Sequence, residues 1–217
     1  MDYATARLNM VDNQIRTNRV QDPRVIAALA ETPRELFVPK PLRARAYVDD
    51  DLDLGDGRWL VEPRVLALLL QAAAIAPSDV ALVIGDDSGY AAAVVARMAG
   101  FVVSLTSLPE WAGSAAATLA QLDGGNVEVA VANVDRGYPA KAPYDAIIIA
   151  GAVSEFPTAL NHQLAEGGRL VGIVEPAPGC GRGVRVVRVG SAWGRRDLFD
   201  ASVPPVPGSS VKPHFQL

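Results

Sequence analysis

Residues 80–174 alternate apolar runs with helix-like stretches, and that rhythm limits the fold more than any other feature of the chain. The runs are VALVI at 80–84, FVVSL at 101–105, VEVAV at 127–131, AIIIA at 146–150 and RLVGIV at 169–174. Helices are expected from Ser88 onward, over 110–122 and over 157–164. The AIIIA run is apolar without a break, as a strand buried on both faces requires. Strands separated by helices and short connections pair in parallel, and right-handed crossovers cover both faces of the sheet. The period then changes. GVRVVRV at 183–189 and AWGRRDLFDA at 192–201 read as two strands with no helix between them, an antiparallel pair. The expectation is an α/β three-layer α/β/α sandwich with a mostly parallel sheet and an antiparallel C-terminal strand pair.

The first 62 residues read as an N-terminal helical extension. Residues 2–19 carry apolar side chains at helical spacing (Ala6, Met10, Val11, Ile15). Asp22-Pro23 has the pattern of a cap followed by a first-turn proline, opening a helix over 25–30. Pro33, Pro39 and Pro41 break regular structure. AYVDDDLDLGD at 46–56 reads as an extended piece with a turn, and Glu62-Pro63 opens a helix over 64–76. Residues 63–202 form the core of a single domain. The Pro-rich tail, VPPVPGSSVKPHFQL at 203–217, is expected to lie extended over the surface or to dangle.

Composition removes several classes of function. Net charge is −4, whereas phosphate binding needs a clustered positive surface; no nucleic-acid partner is expected. The arginines at 182–188 and 195–196 are read as solvated strand edges. No apolar run spans a bilayer, and the N-terminal residues lack the apolar region of a secretory signal. A single cysteine, Cys180 in PAPGCGRG, excludes an intrachain disulfide framework and suits a reducing, cytoplasmic compartment. His162 and His214 have no partner at metal spacing. The spacing from Asp51 to Glu62 matches the ends of a calcium loop, but Gly55 and Asp56 fall where a ligand and then a glycine are needed. No metal site is expected.

One loop carries the chemistry. LVIGDDSGY places Gly85, Asp86, Asp87, Ser88, Gly89 and Tyr90 between the first apolar run and an Ala-rich helix. That is where an open α/β sheet receives its ligand. A plain strand-to-helix turn, with Asp87 or Ser88 capping the helix, remains an open reading. A dinucleotide pyrophosphate is disfavoured by the two negative charges.

The order and spacing of further pieces resemble the S-adenosylmethionine-dependent methyltransferases, and more closely the protein-L-isoaspartate O-methyltransferase family. MVDNQIR, DPRVIAAL and TPRELFVP look like that family's opening helices. AYVDDDLDLGDGRWLVEP resembles its substrate-side segment, and APYDAIIIAGAV and LAEGGRLV resemble its fourth and fifth strand regions. The resemblance covers nearly the whole chain. It implies a Rossmann-like fold, S-adenosylmethionine as cofactor, a protein or peptide substrate, and methyl transfer to an isoaspartyl carboxylate. It also places the cofactor's methionine end on the glycine loop, its ribose at an acid ending the second strand, and its adenine near an acid after the third.

Against that pattern the chain departs at five places. Val83 stands where the family favours Glu, and Asp87 replaces the loop's middle glycine. Thr106 ends the second strand in place of an acid. Ala132-Asn133-Val134 replaces Gly-Asp-Gly after the third strand. In Trp59-Leu60-Val61-Glu62-Pro63, Val61 takes the position of the family's substrate-side hydroxyl. Losing a charged hydrogen bond costs about 1.5–3 kcal/mol, so three losses weaken cofactor binding by roughly a thousandfold or more. Asp86, Asp87, Asp135 and Glu110 are the carboxylates near enough in sequence to compensate. Two readings stay open: a divergent enzyme with eroded cofactor motifs, or a non-catalytic descendant that uses the fold as a binding or regulatory module. The candidate residues are Trp59, Val61 and Glu62 on the substrate side. On the cofactor side they are Gly85, Asp86, Asp87, Ser88, Gly89, Tyr90, Thr106 and Asn133.

Overall fold

The computed structural model describes residues 2–122 and 125–209. Its centre is a seven-stranded sheet made of β3 (Val80–Ile84), β4 (Phe101–Thr106), β5 (Val127–Val131), β6 (Tyr144–Val153), β7 (Leu164–Val174), β8 (Arg182–Val189) and β9 (Ala192–Asp200), in the order β5-β4-β3-β6-β7-β8-β9. The first five are parallel, and β8 and β9 run antiparallel to their neighbours. Alternate residues of each central strand enter two separate cores. Ala81, Val83, Ala146 and Ile148 join one; Leu82, Ile84, Ile147 and Ile149 join the other. Such runs must be apolar throughout, because side chains alternate between faces and here both faces are covered.

One face is covered by α1 (Tyr3–Met10), α2 (Pro23–Glu31), α3 (Pro63–Ala73) and α4 (Tyr90–Ala96). The opposite layer is thin. It contains the short helix α6 (Thr158–Asn161) and irregular segments around Val134, Tyr138 and Phe156. A further helix, α5 (Pro109–Leu119), joins β4 to β5. A two-stranded hairpin, β1 (Leu52–Gly55) and β2 (Arg58–Leu60), lies between the N-terminal helices and α3.

Several boundaries move from their expected places. The long N-terminal helix ends at Met10 and continues as a wider turn over Val11–Ile15 and a tight turn over Arg16–Asn18; Arg19 then adopts a left-handed conformation. The expected helix over 157–164 shrinks to four residues, because Leu164 is taken into β7 opposite Tyr144. The arginines at 182–188 lie on an interior strand, not on an edge. Arg185 donates to the Ala72 carbonyl and Arg188 to the Leu164 carbonyl; of the antiparallel pair, only β9 is an edge. The tail is also corrected: Val203 and Val206 are buried, while 210–217, with His214, fall outside the described residues. Among the described residues no helix is long and apolar enough to cross a membrane.

The C-terminal end of α3 is tied to the sheet by one side chain. Arg169 on β7 donates to the carbonyls of Ala73, Ala74 and Asp145 and pairs with Asp79 at 2.5 Å. It satisfies carbonyls that a helix end leaves without partners. Replacing it with methionine keeps the stem and strands Asp79, which is 7% exposed. Breaking a buried pair costs about 3–5 kcal/mol, so Arg169→Met is expected to lose roughly 3 kcal/mol in urea unfolding. An unchanged midpoint would show that the helix end needs no such tie.

Candidate functional site

The loop between β3 and α4 sits at the carboxyl edge of the sheet. From β3 the chain winds outward through β4 to β5, then returns to lay β6 on the other side. Ligands of open α/β sheets lie in the crevice at such a reversal. The loop's shape is set from inside. The Asp86 carboxylate accepts hydrogen bonds from the Ser88 backbone N–H, the Ser88 hydroxyl and the Ala91 N–H. The Ser88 oxygen accepts in turn from the Tyr90 N–H. Gly85 and Gly89 both hold φ of 86°, a region that side chains rarely adopt. A Cβ on Gly89 would meet Ala115 and Leu119 of α5 at 3.3 Å.

Asp87 faces the other way. It is 4% exposed, and its electrostatic partners include Thr106 at the end of β4. Burial is the main cause that pushes its carboxyl up to about 6. The Thr106 hydrogen bond opposes that shift, Asp86 adds to it and Arg58 opposes it. Arg58 belongs to the hairpin and also sits over the Trp111 ring of α5 at 5.7 Å. The hairpin and the loop are thus linked through one cation.

Behind the loop lies Arg34, fully buried. It donates to the Ala46 and Val61 carbonyls at 2.7 and 2.8 Å, and its guanidinium stacks 4.7 Å from the Tyr90 ring centre. Burial lowers its pKa and raises that of Asp86. Trp59, Val61, Asp86, Tyr90 and Ala150 line a cavity of about 10 Å³, room for about one water.

The model of the protein-L-isoaspartate(D-aspartate) O-methyltransferase (PCMT) family matches residues 6–187. The chain belongs to this family. It is 40% identical over 201 residues to a protein-L-isoaspartate O-methyltransferase of Rhodopseudomonas palustris, covering 92% of each chain. It is 44% identical over 165 residues to one of Methanoregula boonei, covering 76% of each. Among solved structures, a Plasmodium falciparum protein-L-isoaspartate O-methyltransferase in complex with S-adenosyl-L-homocysteine superposes with a TM-score of 0.78 at 18% identity, over 94% of this chain and 99% of that one. That likeness carries the fold.

Within the family frame, the candidate residues separate into groups. Gly85, Asp86, Ser88, Gly89 and Tyr90 build the turn, and Asp86 is occupied as its internal cap. Asp87 and Thr106 meet at the crevice. Asn133 follows Ala132, whose N–H donates to the Thr106 carbonyl; the Asn133 side chain accepts from the Asp135 N–H, beside a cavity of about 480 Å³ lined by Arg136, Tyr138 and Pro139. Glu110 is exposed in the first turn of α5. Of the residues expected on the substrate side, Val61 is buried and gives its carbonyl to Arg34. Trp59 pairs across the hairpin with Asp53. The Glu62 side chain pairs with Arg64 at 2.5 Å while its N–H donates to Asp51; burial is the leading cause raising the Glu62 carboxyl. Arg34, Arg58 and Trp111 were not among the candidates. Arg34 stands in the TPRELFVP piece, where an arginine two residues before a Leu-Phe pair carries no mark of burial.

Asp87 makes the fold sensitive to pH. Its folded-state pKa lies above the unfolded value of 3.8. The folded form therefore holds the proton more tightly, and stability declines as pH rises from about 4 through about 6. Asp87→Asn removes that decline. At about 1.36 kcal/mol per pKa unit, the variant is expected to be up to about 3 kcal/mol more stable at pH 7.5 and equal to the parent near pH 4. Denaturant melts across that range check it; parallel pH profiles would contradict the buried carboxylate.

Proposed function

We propose that the chain transfers a methyl group from S-adenosylmethionine to isoaspartyl carboxylates of proteins, in the cytoplasm, with a cofactor site rebuilt around Asp87 and Thr106. The observation that carries this reading is the Asp87 carboxylate, 4% exposed in the loop after β3, with Thr106 at the neighbouring end of β4. An acid absent from the strand end is supplied by the loop. The pair offers acceptors for hydroxyl groups and one negative charge for a cationic ligand. The left-handed glycines set the turn that carries the pair. The residues present therefore suit the cofactor, with weakened contacts at Val83 and Asn133.

When bound, S-adenosylmethionine supplies an activated methyl group on a positively charged sulfur. The acceptor carboxylate is ionised at neutral pH, so the chain need not supply a strong base. Its residues position and exclude water. Val61 and Trp59 provide an apolar wall, and the Arg58 contact with Trp111 ties the hairpin to α5. Methyl transfer yields the ester and the neutral thioether, and no proton has to move.

A second reading, a non-catalytic binding module, is favoured by one contact: Val206 packs onto Gly85 and Gly151. Titration calorimetry with S-adenosylmethionine, followed by methylation of an isoaspartyl peptide, separates the two. The enzyme reading expects binding, product formation, and about tenfold weaker binding for Asp87→Asn, the loss of roughly one charged hydrogen bond. No heat at millimolar ligand would overturn it, and binding without methylation would leave the module. The same Asp87→Asn change is expected to stabilise the fold and weaken the ligand.

A further inference from the structure

The segment that follows β9 crosses the carboxyl edge of the sheet. Pro205 forms a parallel bridge with Ala152 of β6. The Ala152 N–H donates to the Pro204 carbonyl and the Val206 N–H to the Ala152 carbonyl, each at 2.9 Å. The Val206 side chain, 3% exposed, lies between two glycines. A Cβ on Gly85 would come within 2.8 Å of it, and one on Gly151 within 2.9 Å. Further on, Gly208 lies beside Ser107, just past the end of β4. The segment therefore passes from β6 over β3 to β4, across the reversal point where the crevice lies.

Its hold is narrow. Pro204, Pro205 and Pro207 have no N–H to donate. Proline also restricts the free chain to extended conformations, so docking and undocking cost little order. Val203 anchors the start of the segment in the core, and over the crevice the segment is held by the Val206 side chain on Gly85 and Gly151 and two backbone hydrogen bonds to Ala152.

We propose that residues 203–208 form a displaceable strap that occupies the crevice and competes with the cofactor, setting how tightly S-adenosylmethionine and its thioether product bind. This rests on the cofactor reading above. A strap docked nine-tenths of the time lowers apparent affinity about tenfold.

The test compares the full chain with Val206→Gly by calorimetry using S-adenosylhomocysteine, and follows amide exchange of Ala152 and Val206 in the parent protein. The strap predicts about tenfold tighter binding for Val206→Gly. It also predicts faster exchange at both amides once the ligand is added to the parent. Equal affinities, or slower exchange in the complex, would overturn it, because the segment would then be a wall of the site. If neither protein produces heat at millimolar ligand, the cofactor reading fails and the competition fails with it. The amide measurement does not depend on the folding of the variant.

Discussion

A buried carboxylate shapes the turn on which the crevice is built. Asp86 sits at the end of an apolar strand, where desolvation opposes its charge. Hydrogen bonds from Ser88 and Ala91 offset that cost and at the same time close the loop. With Asp86 turned inward, Asp87 is left to point across to β4. Arg34 supports the arrangement from behind, holding the Val61 carbonyl and the Tyr90 ring without touching a carboxylate directly. The hairpin, the loop and the helix start are thereby fixed to one another.

This arrangement accounts for the two aspartates of the loop by giving them different work. Asp86 is structural. Asp87 is a carboxylate kept in a poor solvent environment, next to a threonine that occupies the family's acidic position. Such a group destabilises the fold at neutral pH. It is retained most economically if a ligand with positive charge and hydroxyl groups supplies what water no longer does. The strap over Gly85 and Gly151 shields the same floor when the chain is alone.

Much of the architecture was legible because strand and helix periods differ. The runs at 80–84 and 127–131 coincide with β3 and β5, since both are bounded by residues that stop a strand. The pair after 182 is antiparallel as its spacing implied. The helix over 157–164 was misjudged because pairing with Tyr144 outweighs the local preference of Leu164. At the site, the sequence marked the loop and Thr106 but not the direction each aspartate faces. Nothing in GDDSG distinguishes a cap from a ligand; that depends on which neighbour offers N–H groups. The tail was misjudged for a similar reason. Proline content suggested a chain extended over the surface or dangling, whereas Val206 finds an apolar seat between Gly85 and Gly151, far away in sequence, and Val203 joins the core.

The most direct measurement is the titration of the Asp87 carboxyl carbon by NMR, with and without S-adenosylhomocysteine. The ligand brings an ammonium group and ribose hydroxyls, which favour the charged carboxylate. The account predicts a midpoint near 6 in the free protein and a clear fall on saturation. A midpoint that does not move while the ligand binds would contradict it, because the cofactor would then be held by groups other than Asp87.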